Sequence, residues 1–519
     1  MDDYRINGLS LHSKYDPPRE AKRYLSSLSL SPQTGIFILL EPGAGYLSRE
    51  LLLRFPHALV LEIHCDSRFH CTDISQTLFS WSPGSGESLR SFLSSHISEY
   101  DLGIIQIIEW QPANKIFGKE YVGIQHMVQS FLQEKRSVVH TTGKFGHRWI
   151  KNIFRNILNL PPLISFPSPS NMPILIAASG PSLERAIPLI KTNRNRLSLW
   201  SLPSSLSLFN NHGIQPDFVF HTDPGFYATY HLRFTQDEPP PLLSPLNAAH
   251  PPRARKQILL NTHSPVETFL IDLLSLPCIP STSHGTVAGS AFYTALSLNP
   301  PLILFAGLDL AFQDILAHCR PHTFDHLLVS KIDRYSSITE LYYRRSPRIS
   351  PFSNSSGNKQ QNFSLSRYAE WFRSISEPAD IPVYRLFPSS VPIPSFQNIV
   401  DSVDFDSLLT SYKRNDNSEF SSAPVRVPEQ KLPAALHTYI QKVLYQEDLL
   451  FREAADISDL PLLEEFIRFS CYSELFRLNS CSWKHGRRLK NADKSSLRDC
   501  IFLAAAELES AFGGYRKYD

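Results

Sequence analysis

A turn of small and polar residues, Ser179-Gly180-Pro181-Ser182, follows an apolar run at residues 174–178 and precedes a helical pattern. In open α/β sheets, ligands bind beyond the carboxyl ends of the strands. Gly180 permits close approach of the backbone to a ligand, Pro181 stiffens the turn, and Ser182 is a natural N-cap beside N–H groups that face an anion. The pattern predicts an anion-binding turn or, alternatively, a tight strand-to-helix turn with no ligand.

Two further turns are predicted to end at the same edge of a parallel sheet. Asp223 follows a short strand pattern at residues 218–221 and precedes Pro224, and Gly285 and Thr286 stand in a small, hydroxylated segment before a helical run. Each turn alone also fits an ordinary turn or close packing. Three turns at one sheet edge favour a shared binding site.

A third candidate combines a carboxylate and an imidazole. Asp309 comes just after the apolar run at residues 302–306, and His318 follows in the same loop. Such a pair could act as an acid and a base. The alternatives are a helix cap for Asp309 and a surface loop position for His318.

The elements that must position these residues form two α/β series. Apolar strand patterns at residues 35–40 and 58–63 flank a glycine-containing turn and a helical stretch, which is typical of a βαβ unit in a parallel sheet. After a proline-rich segment at residues 161–173 the alternation of strands and helices repeats. From Val425 onward the apolar residues have helical spacing.

We therefore predict an α/β fold in which two Rossmann-like, mostly parallel sheet domains precede a C-terminal α-helical domain. The predicted domains are residues 1–160, 161–414 and 415–519. A polar segment at residues 346–363 is predicted to be a loop, and residues 415–424 a linker.

Composition excludes several classes of protein. With 42% hydrophobic and 19% charged residues among 519, the chain is not broadly disordered. Its 51 Lys and Arg against 49 Asp and Glu give no reason to expect a nucleic-acid partner or a polybasic membrane anchor. No apolar run reaches the ~18 residues of a membrane span. The acidic start has no signal-peptide pattern and the seven cysteines are scattered, so we expect a cytoplasmic protein with reduced thiols.

No metal site is expected. His64-Cys65 and His70-Cys71 recur six residues apart, which is not a usual zinc spacing. His318, His322 and His326 are spaced by four, but Pro321 interrupts any helical face that they would share.

These motifs occur along the chain in the same order as in the motility accessory factor family of flagellin glycosyltransferases, and the chain resembles that family. The resemblance rests on residues 174–183, the Gly-Ile-x-Pro-Asp core at residues 213–217 that leads to Asp223, Gly285-Thr286-Val287, residues 307–312 and His318, and on residues 145–152. It covers most of residues 30–400. It implies transfer of a nonulosonic, sialic-acid-like sugar from a CMP donor to flagellin in the cytoplasm, with no further cofactor.

The central fold of that family is similar to bacterial sialyltransferases, and this likeness implies roles for individual residues. Ser179, Gly180, Pro181 and Ser182 would line the nucleotide site. Asp223, Gly285 and Thr286 would contact the donor nearby. His318 would be the general base for the acceptor hydroxyl, with Asp309 orienting it or holding the loop.

Two alternative functions remain open. The central domain also resembles an archaeal 6-hydroxymethylpterin pyrophosphokinase, in which the same turn would serve phosphoryl transfer from ATP. A non-enzymatic flagellar assembly factor is the other alternative. The N-terminal segment at residues 41–46, with Glu62 downstream, looks like a methyltransferase or dinucleotide fingerprint, but its few glycines favour a degenerate domain without a bound cofactor.

Overall fold

The structure is a computed structural model of the 519-residue chain. It describes residues 5–6, 8–69, 77–97, 99–166, 171–233, 240–251, 256–282, 284–346, 363–375, 380–388, 391–412, 424–452, 459–471 and 491–513. The chain divides into two compact units, residues 1–147 with 443–507 and residues 148–442 with 508–519. The predicted boundaries at 160/161 and 414/415 stay predictions.

The first unit contains a four-stranded parallel sheet. Its strands and those of the preceding hairpin are β1 (Arg5–Ile6), β2 (Leu9–Ser10), β3 (Ile36–Leu40), β4 (Leu59–Ile63), β5 (Leu78–Trp81) and β6 (Ile105–Glu109). The sheet has the order β5-β4-β3-β6, and β1 pairs with β2 as a separate antiparallel hairpin. Every residue of β3 and β4 is buried, which explains why all of these residues except Glu62 are apolar.

Helices follow these strands in the alternation that the sequence predicts. They are α1 (Pro17–Ser27), α2 (Tyr46–Arg54), α3 (Leu89–His96), α4 (Gln111–Phe117) and α5 (Lys119–Leu158). Asp16 caps α1 by accepting a hydrogen bond from the N–H of Arg19. The length of α5, 40 residues, was not predicted.

The second unit contains a nine-stranded sheet in which all neighbouring strands are parallel. Its strands are β7 (Ile174–Ala177), β8 (Ser198–Ser201), β9 (Phe218–Phe220), β10 (Leu242–Pro245), β11 (Gln257–Asn261), β12 (Cys278–Pro280), β13 (Ile303–Ala306), β14 (Val383–Leu386) and β15 (Gln397–Ile399). Their order is β12-β11-β10-β9-β8-β7-β13-β14-β15.

Both faces of this sheet are covered. The helices that follow α5 are α6 (Leu183–Thr192), α7 (Leu206–Asn211), α8 (Ala228–Arg233), α9 (Pro265–Leu274), α10 (Val287–Ser297), α11 (Asp325–Val329), α12 (Ile338–Arg345), α13 (Phe363–Arg373) and α14 (Ser402–Leu409). Leu175 of β7 packs in one apolar cluster with Leu183 and Ile187 of α6, and Ile176 packs in the other cluster with Phe292 of α10. Successive side chains of the strand thus enter opposite cores.

The C-terminal part is helical, with α15 (Lys431–Arg452), α16 (Pro461–Ser470) and α17 (Asn491–Gly513). Two separate parallel sheets followed by helices confirm the predicted fold class. The predicted loop at 346–363 and linker at 415–424 lie almost wholly outside the described residues. Within the described part of the chain, no helix is long and apolar enough to cross a membrane.

Candidate functional site

The candidate site lies where the strand order of the large sheet changes direction. From β7, the chain proceeds through β8 and β9 on one side, whereas β13 lies on its other side. Ile303 pairs with Ile174 and Ala306 with Ala177, so the loops after β7 and β13 leave the sheet side by side. Such a switch point is where open α/β sheets form a ligand-binding crevice.

The Ser-Gly-Pro-Ser turn is joined to Asp309 in the second of these loops. The N–H of Ser182 donates to Asp309 Oδ2 at 2.7 Å and the hydroxyl of Ser182 donates to Oδ1 at 2.5 Å. Ser182 occupies the N-cap position of α6, but its hydroxyl makes no capping bond, contrary to the role expected of it. The carboxylate of Asp309 therefore stands at the helix start, where the sequence predicts a bound anion.

Gly180 is required by this junction. Its N–H donates to the carbonyl oxygen of Gly307 at 2.8 Å. A Cβ atom at residue 180 would lie 2.5 Å from both Asp309 Oδ2 and the Gly307 carbonyl oxygen. The absence of a side chain at Gly180 therefore lets one loop close on the other, rather than leaving room for a ligand at that atom.

A buried arginine supports the same junction. The pKa of Asp309 is raised overall, because the effect of burial outweighs its hydrogen bonds with Ser182 and the charges of Arg385 and Arg185, which lower it. Arg385, on β14, donates through Nη1 to the Val391 carbonyl and through Nη2 to the Leu308 carbonyl. Burial lowers its pKa to about 10, so it stays charged at neutral pH. The role of Arg385 could not be predicted from the sequence, because nothing in a strand pattern indicates which loop its side chain will reach.

His318 contacts the Ser-Gly-Pro-Ser turn through Ser179. Its Nδ1 lies 2.9 Å from Ser179 Oγ. The adjacent backbone is anchored by Cys319, whose N–H donates to the Ser179 carbonyl at 2.7 Å, and by Arg320, whose N–H donates to Glu184 Oε1 at 2.8 Å. Asp309 ties this loop to the turn through Ser182, and its expected role in orienting His318 stays a prediction.

The electrostatic surroundings of His318 favour its neutral form. Desolvation by the protein atoms around it lowers its pKa, although solvent reaches the side chain. A hydrogen bond with the backbone of Ser179 and the charge of Asp325 act in the opposite direction without cancelling that effect. A neutral imidazole near physiological pH can accept a proton.

A cavity of about 460 Å³ opens beside His318. Its wall is formed by Ser204, His231, Phe312, Ile315, Leu316, Ala317, His318, Arg320, His322, Phe324, Asp325, Leu328, Tyr342 and Arg345. This volume is in the range of small-molecule sites, and the mixture of apolar side chains with a few polar groups is typical of them.

Three imidazoles form one side of this cavity. The rings of His318 and His322 stack at 4.6 Å with an interplanar angle of 5°, and His231 meets His322 edge-on at 5.2 Å. Burial lowers the pKa of His231 to about 4 and that of His322 to about 3. His322 stands out in the sequence only by its spacing, and no sequence pattern predicts that α8 brings His231 to the same cavity.

The described residues contain no group of three His, Cys, Asp or Glu side chains placed to hold a metal ion. His70 and Cys71, one of the pairs weighed as metal ligands, lie outside the described residues.

Asp223, Gly285 and Thr286 occupy loop positions with local hydrogen bonds. Asp223 is exposed beyond β9, and its Oδ1 accepts from the N–H of Gly225 at 2.6 Å. Gly285 has a φ of +70°, and Thr286 caps α10 by accepting from the N–H of Gly289 at 2.8 Å. None of the three belongs to the described wall of the cavity, and their role as donor contacts stays a prediction.

The N-terminal fingerprint segment is engaged by the protein's own side chains. His12 Nε2 accepts from the N–H of Ala44 at 3.0 Å, and a Cβ on Gly43 would lie 2.2 Å from that nitrogen. Glu62 contacts Ser48 and His64 instead of standing free toward a ribose.

Three comparisons with known proteins bear on this fold. Residues 147–314 match the family model described as "6-hydroxymethylpterin diphosphokinase MptE-like". An uncharacterized protein of Treponema pallidum (strain Nichols) is 28% identical over 432 residues, which are 80% of this chain and 92% of that protein. The MAf glycosyltransferase from Magnetospirillum magneticum AMB-1 matches 100% of this chain and 87% of its own, with a TM-score of 0.55 and 14% identity. At that identity the likeness establishes a common fold for the two chains.

Proposed function

We propose that this protein is a glycosyltransferase that moves a nonulosonic sugar from a CMP donor to Ser or Thr hydroxyls of flagellin, in the cytoplasm. The observation that carries the proposal is the contact of Ser179 Oγ with His318 Nδ1 beside the cavity at the switch point. The fold shared with a protein titled MAf glycosyltransferase supports it. The CMP donor and the flagellin acceptor rest on the sequence resemblance.

In the proposed reaction, the acceptor oxygen forms a bond to the anomeric carbon of the sugar. The bond from that carbon to the CMP phosphate oxygen breaks, and its electron pair leaves with CMP. His318 accepts the proton of the attacking hydroxyl. Since Nδ1 of His318 is engaged with Ser179, Nε2 is the nitrogen that takes this proton.

Most polar groups of the turn are already hydrogen-bonded within the protein, so few of them can bind a nucleotide. The N–H groups of Gly180 and Ser182 donate to Gly307 and Asp309, and the hydroxyl of Ser182 is also engaged. Within this turn we therefore assign the nucleotide contact chiefly to Ser179, with Gly180 and Pro181 setting its backbone. Ser182 acts by fixing the turn.

A pterin diphosphokinase is the second candidate, favoured by the family model that matches residues 147–314. That match includes the turn and Asp309 but ends before His318. The reaction would use ATP and would not need an imidazole to activate a sugar acceptor.

The deciding experiment is a thermal-shift measurement on the full chain with CMP, ATP and S-adenosylmethionine, followed by assay of CMP release in the presence of flagellin and a CMP-nonulosonate. Stabilisation by CMP and flagellin-dependent release of CMP are expected. Preferential stabilisation by ATP would favour the diphosphokinase instead. A response to none of the three, with no release of CMP, would favour the assembly factor.

A further inference from the structure

A nitrogen of His322 in the cavity wall is buried and unmatched. The side chain is 8% exposed, and the N–H of Phe324 approaches its Nδ1 at 3.4 Å. Since Nδ1 accepts, the proton of the neutral ring lies on Nε2. Among the described residues, no group accepts a hydrogen bond from that Nε2. A buried donor without an acceptor costs about 1–3 kcal/mol, so a small rotation of this ring that lets an acceptor atom in the cavity reach Nε2 would recover that cost.

His231 repeats the feature on the neighbouring ring. It is 9% exposed, and its Nδ1 also has no hydrogen-bond partner among the described residues. Its ring lies 5.2 Å from that of His322, and both line the same cavity. Two unmatched nitrogens on adjacent rings of one cavity wall favour a polar ligand group on this side of the cavity.

The charges in the wall indicate the sign of that group. Arg320 and Arg345 line the cavity and are exposed. The carboxylate of Asp325, in the same wall, is engaged on both oxygens, because Oδ2 accepts from the N–H of His322 at 2.9 Å and Oδ1 accepts from the hydroxyl of Tyr342 at 2.5 Å. The two guanidinium groups therefore exceed the carboxylate charge and favour an anionic ligand.

We infer that His322, His231, Arg320 and Arg345 form a subsite for an anionic oxygen group of the ligand, with His322 Nε2–H as the buried donor and the arginines as the charge partners. The inference rests on the proposed function for the choice of ligand. There the anionic oxygen is either the carboxylate of the transferred sugar acid or the phosphate of CMP. Both present acceptor oxygens with negative charge.

Binding of N-acetylneuraminate and, separately, of CMP to the full chain tests the subsite by isothermal titration calorimetry. His322→Phe keeps an aromatic ring beside His318 but removes the N–H. We expect at least a tenfold weaker affinity for one of the two anions. His212→Phe, which replaces an exposed imidazole outside the cavity, is the matched control and should change neither affinity.

Arg345→Gln gives a second, surface variant in case His322→Phe does not fold, with Arg344→Gln as its control. Arg344 lies on the same helix but pairs with Glu340 at 2.6 Å. Loss of N-acetylneuraminate binding alone identifies the carboxylate as the ligand group, and loss of CMP binding alone identifies the phosphate. Unchanged affinities in both cavity variants, or no binding of either anion by the wild type, overturn the inference.

These outcomes are separate from those of the proposed function. Anion binding that depends on His322 without any flagellin-dependent CMP release would leave the subsite standing and remove the glycosyltransferase. Flagellin-dependent CMP release with unchanged anion binding in the variants would support the glycosyltransferase and contradict the subsite.

Discussion

Asp309 and Ser182 are 127 positions apart in the chain, yet the carboxylate of Asp309 accepts hydrogen bonds from both the N–H and the hydroxyl of Ser182. The contact ties the loop after β13 to the first turn of α6, where a negative charge is also favoured by the helix dipole. Both residues are buried. His318 lies further along the same loop, so its place beside Ser179 depends on this junction.

Asp309→Ala should destabilise the second unit because it leaves two buried donors of Ser182 without an acceptor. We expect the free energy of unfolding to fall by at least about 2 kcal/mol, and Asp309→Asn, which keeps one acceptor oxygen, to lose less. Urea denaturation followed by tryptophan fluorescence measures the difference. Asp404→Ala, at an exposed carboxylate of α14, is the control, and an equal loss in both alanine variants would contradict the assigned role.

Gly180→Ala should disrupt the same junction by overpacking. The new Cβ would lie 2.5 Å from Asp309 Oδ2 and from the backbone oxygen of Gly307, which cannot move aside as a flexible side chain could. We expect a loss of about 1–3 kcal/mol in the free energy of unfolding. Gly123→Ala is the control, because a Cβ there meets no atom within 4 Å and alanine favours the helix. Equal stability of the two variants would show that a Cβ atom at residue 180 does not clash with Asp309 and Gly307.

His318→Gln tests the proposed base. Removal of a general base lowers the rate by a factor of about 10²–10⁴, so we expect a fall of that size in CMP release with flagellin present. CMP affinity should not change. Ser179→Ala, which removes only the hydroxyl at 2.9 Å, should lower the rate by roughly tenfold or less. A His318→Gln rate within threefold of the wild type would exclude His318 as the base.

The rate should also depend on pH in a defined direction. Only unprotonated His318 can accept the proton, and its pKa lies below the ordinary histidine value of 6.5 because the surrounding protein atoms desolvate the ring. The rate of CMP release should therefore rise with pH, reach half its maximum below pH 6.5, and stay level through neutrality. Asp325→Asn removes a charge that raises this pKa, so it should move the midpoint still lower. A midpoint above 6.5 in the wild type would contradict the assignment.

The parts of the fold that follow from local pattern were predictable, whereas contacts across the sheet were not. Apolar runs such as that of β7 give a buried parallel strand directly, since both faces are covered. The partner of Ser182 could not be predicted, because the distance between two loops depends on strand order. An N–H group at a helix start fits a ligand anion and an internal carboxylate equally well. His231 and His322 become neighbours only through tertiary folding.

The first unit contains a buried charge cluster that no local pattern shows. His64 is fully buried after β4, with Nδ1 3.2 Å from Glu41 Oε1 and Nε2 3.4 Å from Glu62 Oε2. Burial alone would lower its pKa, but the hydrogen bonds and charges of the two glutamates raise it to about 9. His64 is therefore an imidazolium ion at neutral pH. Its charge compensates carboxylates that have no access to water.

Stability of this unit should fall as pH rises from 6.5 to 9. The folded-state pKa of His64 is above the unfolded value of 6.5, so its contribution is complete below pH 6.5 and is lost as the folded imidazolium deprotonates. The shift corresponds to roughly 3 kcal/mol at most. His64→Gln should lose about 3–5 kcal/mol at pH 6.5, because two buried carboxylates lose their cation, and should lose the pH dependence as well. Urea unfolding at the two pH values measures both effects, with His57→Gln, at an exposed histidine, as the control. Equal unfolding free energies of the wild type at pH 6.5 and 9 would show that the cluster does not hold His64 charged.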